Sequence, residues 1–278
     1  MNLAQHAMAL LGAWSPAPLA NLLTPSRGYR FTGGLAYRPG PRGQLDLYEP
    51  EGLSAEAPMI VFFYGGGWRW GERGNYRFAA QSLTTLGCAV AVPDYRLGQA
   101  GAWPHFLQDG AAALRWLRGN HGAARPLVLM GHSAGAFIAL ALATDPRWLG
   151  GAERGRLAGA VGLAGPYDFQ PEKPAYIATF AAAPGGRASA APADDAALAG
   201  TPPALLLHGL KDGTVSPERS RELAARLAMA GRPVRLIEYP RLGHTGIVAA
   251  LATPLRRLGL AGAPVLEDVG AFLASLRR

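Results

Sequence analysis

Six short, almost unbroken apolar runs punctuate the chain, at residues 59–63, 88–92, 127–130, 159–163, 204–207 and 234–237. Each has strand length, and a continuous run is what a strand covered on both faces requires. An earlier stretch, Gln44-Leu45-Asp46-Leu47-Tyr48, alternates polar and apolar residues and predicts a half-buried strand. Helical patterning fills residues 77–86, 106–118, 134–143 and 217–230, and Pro264 suits the first turn of a last helix over 265–276. Strand and helix alternating in this way predict βαβ units. The expected fold is therefore α/β, a mostly parallel central sheet with helices on both faces.

Two stretches depart from the alternation. Residues 1–33 read as an N-terminal arm, with Leu10, Leu11 and Trp14 packing on the domain surface. Residues 166–203 are rich in Ala, Pro, Gly and Asp, and only 175–182 has helical character. A long excursion of that kind between sheet strands reads as either a disordered segment or a functional insertion. No repeat or boundary divides the chain, so 1–278 is expected to be a single domain.

Composition narrows the function classes. Hydrophobic residues make up 49% and charged residues 17%, ample for a packed core. A net charge of +8 invites a nucleic-acid reading. The cations are scattered arginines, however, with Lys173 and Lys211 as the only lysines and Arg256-Arg257 and Arg277-Arg278 as the densest pairs. No zinc or RNA-binding signature accompanies them, so no nucleic-acid partner is expected; attraction of anions is the simpler consequence. Cys88 stands alone, which excludes an intramolecular disulfide and a cysteine metal cluster. No Lys or Arg precedes Arg27, and Pro16 and Pro18 interrupt the first apolar region, which argues against an export signal. No segment reaches the roughly 20 apolar residues of a membrane span. The expectation is a soluble cytoplasmic protein whose oligomeric state is open, a homodimer included.

The most specific chemical signal is Gly131-His132-Ser133-Ala134-Gly135, placed after LVLM and before the helical AFIALALA. In a strand–turn–helix setting, G-x-S-x-G forms a nucleophile elbow, with the serine on a strained turn and small residues where the backbone crosses over. The Ala134 amide would then open a helix and point toward an anion. The plainer alternative is a serine N-cap. A serine hydroxyl needs a histidine to take its proton and an acid to orient that histidine. His244, in a glycine-flanked loop after the last strand, is the expected base. His132 should point away from the serine, His208 ends a strand as a core or loop-support residue, and His6, His105 and His121 come too early. Asp212, in the turn after ALLLHG, is the expected acid, with Asp168 its main competitor. Asp94 is expected to tie loops together through Arg96.

Taken in order, YGGGW, VPDYRL, FLQDGAAALRWLR, GHSAG, HGLKDGTV and LGHTG resemble the α/β-hydrolase superfamily. Within it they resemble the carboxylesterase branch of hormone-sensitive-lipase-like and feruloyl-esterase-like enzymes, and also the arylformamidases. The resemblance runs from about residue 44 to the C-terminus. It implies Ser133 as nucleophile, Asp212 as orienting acid and His244 as general base, with no cofactor and no metal. It also implies an oxyanion hole built from the amides of Gly66, Gly67 and Ala134. Tyr64 stands where many relatives carry histidine and would brace the glycine loop or pack at the strand end; it is also expected to narrow the pocket as a substrate contact. Trp68, Trp70 and Tyr76 would form an aromatic wall or pack in the core. Residues 166–203 fall where the family inserts a cap, so Tyr176, Ile177 and Phe180 would line an acyl pocket. The implied function is hydrolysis of small carboxylic esters through an acyl-enzyme. Hydrolysis of formamides on the same residues, and a hydrolase fold that binds without turnover, are the alternatives.

Overall fold

The computed structural model describes residues 17–122 and 125–276. The predicted surface packing of Leu10, Leu11 and Trp14 lies outside them. Strands β1 (Tyr29–Ala36), β2 (Gln44–Pro50), β3 (Met59–Phe63), β4 (Ala89–Pro93), β5 (Leu127–His132) and β6 (Leu157–Leu163) form one sheet with two later strands. A small ladder, β7 (Asp168–Phe169) with β8 (Ala188–Ser189), intervenes before β9 (Ala204–Gly209) and β10 (Val234–Tyr239) complete the sheet. Its order is β1-β2-β4-β3-β5-β6-β9-β10. From β4 to β10 every pairing is parallel, while β1 and β2 are added antiparallel at one edge.

The apolar runs become the central strands for the expected reason. β3, β4 and β5 are buried along their whole length, whereas edge strand β10 is mostly half-exposed. Helix α1 (Arg77–Thr84) connects β3 to β4, and α2 (His105–Asn120) connects β4 to β5. In α2, Phe106, Leu107, Leu114 and Leu117 are buried and Gln108 and Arg115 exposed, the one-sided pattern of a helix lying on a sheet. Helix α3 (Ala134–Thr144) is apolar all round and buried at every residue, packed against β3, β5, β6 and α2. It fixes the serine turn to the middle of the core.

The sheet begins earlier than the sequence suggests. Residues 29–33, assigned above to the arm, belong to β1, which crosses a bulge at Gly33-Gly34 and pairs with β2. The Gly34 N–H donates to the Asp46 carboxylate at 2.9 Å, so the bulge is satisfied by a side chain. Residues 166–203 carry the β7–β8 ladder, helix α4 (Pro174–Phe180) and two 3₁₀ turns. After α4 come α5 (Glu218–Met229) between β9 and β10, and α6 (Val265–Ser275) at the end. Among the described residues no helix is long and apolar enough to cross a membrane.

Candidate active site

β5 ends at His132 and α3 begins at Ala134, leaving Ser133 alone on the turn with φ 55° and ψ −121°. A left-handed φ is costly for a residue with a Cβ, on the order of 1–3 kcal/mol, so the surroundings must enforce it. They do so at close range. The Ser133 N–H donates to the Leu163 carbonyl at the end of β6, at 2.9 Å. A Cβ on Gly131 would sit 2.2 Å from the Gly135 carbonyl oxygen, and one on Gly135 would sit 2.0 Å from that of Phe63. Only glycine lets these backbones cross, which explains the spacing of the motif in physical terms.

The loops after β9 and β10 meet above this turn. His244 Nε2 lies 2.9 Å from Ser133 Oγ, and His244 Nδ1 lies 2.7 Å from Asp212 Oδ2. Asp212 Oδ1 accepts the N–H groups of Thr214 and Val215, each at 2.8 Å. The carboxylate is fully buried, and burial alone would raise its pKa. Hydrogen bonds from His208, His244 and the Val215 N–H outweigh that, so it is held below the ordinary carboxylate range. A hydroxyl, an imidazole and an ionised carboxylate in this order form the arrangement in which histidine can take the serine proton. Asp168, the competing acid, is paired with Arg187 across the β7–β8 ladder and with Arg219 at 3.6 Å. His132 points away from the serine, as the turn requires, and its Nε2 reaches the His244 carbonyl at 2.9 Å.

Across from the elbow, the glycine loop doubles back. Gly66 (φ 137°) and Gly67 (φ 57°) occupy conformations open to glycine, and the Gly66 carbonyl accepts the N–H groups of Arg69 and Trp70. A Cβ on Gly65 would lie 3.2 Å from Ser133 Cβ, so loop and elbow are in contact. Among the described residues, the N–H groups of Gly66, Gly67 and Ala134 have no acceptor. Donors left open around a serine are what a developing oxyanion needs.

Tyr64 is fully buried, stacked on Tyr95 at 4.6 Å, and its hydroxyl donates to Asp94 at 3.0 Å while accepting from Arg42. The expectation that it contacts substrate is therefore corrected: its polar end is spent beneath the loop, as a brace. Asp94 is also not tied to Arg96. It pairs with Arg42 and Arg73, while Arg96 pairs with Asp109 at 2.9 Å. A buried carboxylate facing two guanidiniums costs less than one facing a single cation, and the Tyr64 hydroxyl and the Arg73 N–H add two further bonds to it.

Two further expectations change. Trp68, after the glycines, is only 2% exposed, and Phe180 is fully buried. They meet edge to face at 4.8 Å, surrounded by Phe106, Phe137 and Phe169. The left-handed turn at Trp68 (φ 58°) accompanies a ring buried in the core, so the space beneath residues 166–203 is filled with protein. Trp70 and Ile177 stay half-exposed, and the Tyr176 hydroxyl stands 2.6 Å from where a Gly67 Cβ would be. Tyr76 supports the loop, its hydroxyl accepting the Gly65 N–H at 3.1 Å. Sequence reasoning missed Arg42 and Arg73, because an ion pair spanning 21–52 residues leaves no periodic trace. Among the described residues, no group of three or more His, Cys, Asp or Glu is placed to hold a metal ion.

Comparison with known proteins bears on the family and the fold. Residues 45–170 match the BD-FAE family model, and residues 180–255 match that of the prolyl oligopeptidase family. Esterase LipC of Mycobacterium tuberculosis is 28% identical over 78% of this chain. The fold is shared along nearly its whole length with esterase B of Lactobacillus rhamnosis, at a TM-score of 0.75, 19% identity, and coverage of 98% of this chain and 95% of the other. The chain has the α/β-hydrolase fold, and these matches liken it to the carboxylesterase branch of that superfamily. The chain also resembles the kynurenine formamidase of Danio rerio, at 28% identity over 48% of its length. It spans 60% of the length of LipC and 45% of that of the formamidase.

Proposed function

We propose that this α/β hydrolase is a metal-independent serine esterase that cleaves small apolar or aromatic carboxylic esters. The observation that carries the reading is the unbroken contact from Asp212 through His244 to Ser133, at 2.7 and 2.9 Å. Ser133 attacks the ester carbonyl while His244 takes its proton. Negative charge develops on the carbonyl oxygen, toward the open N–H groups of Gly66, Gly67 and Ala134. His244 then protonates the departing alcohol, and the same imidazole activates the water that releases the acid. Packing of Trp68 and Phe180 beneath the cap supports short acyl groups, and the half-exposed Trp70 and Ile177 offer an apolar rim to the alcohol side.

The test compares wild type with Ser133→Ala on p-nitrophenyl acetate. Loss of turnover by at least about a thousandfold is expected, together with loss of labelling by a fluorophosphonate probe. Full turnover in the serine variant would overturn the mechanism, and an unlabelled, inactive wild type would indicate a binding protein.

A second reading has its own support in the likeness to a kynurenine formamidase. The same residues would attack an N-formyl aromatic amide, with His244 protonating the departing nitrogen. A kcat/KM for N-formylkynurenine above that for p-nitrophenyl acetate would decide for it.

A further inference from the structure

Asp212 Oδ2 is shared between two imidazoles. One belongs to His244, at 2.7 Å; the other belongs to His208, whose Nε2 lies 3.2 Å away on the inner side. His208 is the penultimate residue of β9, a strand buried along its whole length, and has no exposure at all. Its Nε2 also lies 3.1 Å from the Val215 carbonyl oxygen. Both neighbours of Nε2 are acceptors, so that nitrogen carries the hydrogen and shares it between them. The other nitrogen, Nδ1, faces Ser220 Oγ at 2.7 Å, and the hydroxyl of Ser220, itself fully buried on α5, can donate to it. The carboxylate thus lies at the centre of two serine–histidine arms. The outer arm, His244 and Ser133, opens on the cleft. The inner arm, His208 and Ser220, is sealed in the protein.

We infer that His208 and Ser220 are positioning residues for the acid: they fix the Asp212 carboxylate and divert part of its charge away from His244. This inference rests on the esterase reading above. A carboxylate oxygen that accepts two imidazole hydrogens offers each a weaker bond than one that accepts a single hydrogen. Removing the inner donor concentrates the charge on His244 and frees the carboxylate to rotate. Ser220 fixes which nitrogen of His208 bears the hydrogen; without its hydroxyl, Nδ1 is left buried without a donor. The groups facing this assembly are few. His208 comes from β9, His244 from the loop after β10, His132 stands behind His244 from the elbow, and the buried Tyr167 hydroxyl faces Ser220. On α5, Arg219 and Arg221 flank Ser220 but are engaged with Asp168, Glu222, Glu218 and Glu238. Lys211 and its neighbour Leu210 are exposed.

The experiment measures kcat and KM against pH for His208→Leu, His208→Gln and Ser220→Ala with p-nitrophenyl acetate. For His208→Leu the acidic limb of the kcat/KM profile should move up by about 0.5–1 pH unit. Its kcat should fall about tenfold while KM stays within about twofold. His208→Gln, whose amide can donate to the same oxygen, should recover most of both, and Ser220→Ala should move the limb the same way by less. A wild-type limb in His208→Leu and Ser220→Ala overturns the inference, as does a His208→Gln protein that behaves like His208→Leu. Should His208→Leu not fold, Ser220→Ala carries the test by proton NMR in a Ser133→Ala background. The low-field signal of the His244 Nδ1–H must shift between Ser133→Ala and the Ser133→Ala/Ser220→Ala double variant, and an unchanged signal overturns the inference. That signal needs no turnover, so an absence of ester hydrolysis in wild type, which would sink the esterase reading, gives a different result.

Discussion

His132 and His244 are joined by a hydrogen bond between the Nε2–H of the first and the main-chain carbonyl of the second, at 2.9 Å. A carbonyl can only accept, so Nε2 carries the hydrogen, and Nδ1 faces the Tyr76 hydroxyl across a longer contact of 3.4 Å. Tyr76 in turn accepts the Gly65 N–H. His132, the second residue of GHSAG, thereby hangs the His244 loop from the elbow and reaches toward the glycine loop. In His132→Ala the base loop loses its anchor, and kcat should fall about tenfold with little change in KM. A His132→Gln protein, which retains a donor, should lie between the two, and equal values for both variants in steady-state kinetics would refute the anchor.

The same histidine makes stability depend on pH. Burial holds its imidazole down to about 3, against an ordinary value near 6.5. Between those values the unfolded chain binds a proton that the folded chain refuses, so folding weakens as pH falls through the window. The expected slope approaches about 1.4 kcal/mol per pH unit from this group alone. Urea unfolding at about pH 7 and about pH 5 should show wild type losing roughly 2 kcal/mol more than His132→Gln. Parallel losses in the two proteins would assign the acid sensitivity elsewhere.

Replacing the two loop glycines with alanine should not have equal effects. A Cβ on Gly66 would lie 2.0 Å from the Trp70 carbonyl oxygen, a backbone atom that cannot move without unmaking the turn. Gly66→Ala should therefore lower kcat by about a hundredfold or more. At Gly67 the obstacle is the Tyr176 hydroxyl, the end of a side chain that can swing away. Gly67→Ala should cost only about 1–2 kcal/mol for its positive φ, and Gly67→Ala/Tyr176→Phe should be more active than Gly67→Ala. The four kcat values on one acetate ester decide the matter.

Tyr64→Phe tests the brace beneath the loop. It removes one of the bonds to Asp94 and one acceptor from Arg42, both in a buried setting. A loss of about 1–3 kcal/mol in unfolding free energy is expected, with ester preference unchanged because the ring does not face the cleft. A change in acyl preference at unaltered stability would return Tyr64 to the pocket wall.

How much of this could be read in advance depends on the range of the interaction. β3 is bounded as its apolar run predicts, and the elbow follows from five consecutive residues, because burial and turn chemistry are written locally. β1 was hidden because Gly33-Gly34 breaks its alternation, and the bulge there is satisfied by Asp46, twelve residues away. Trp68 and Trp70 look alike in sequence, yet Trp68, on a positive φ, is buried and Trp70 half-exposed, a difference no local pattern encodes. The carboxylate network at Asp94 was misread for a related reason: Arg96 is near in sequence, but Arg42 and Arg73 are near in space.

Strand order has a consequence in time. Ser133 follows β5, but His244 follows β10, the edge strand that pairs last along the chain, with β6 and β9 lying between them. While the chain is being synthesised, the serine turn can form long before residue 244 exists. Until β10 has docked on β9, the hydroxyl has no base within reach and is as inert as any other alcohol. On the esterase reading, a growing or truncated chain thus carries no reactive serine, and hydrolytic competence becomes a report that β10 has been placed.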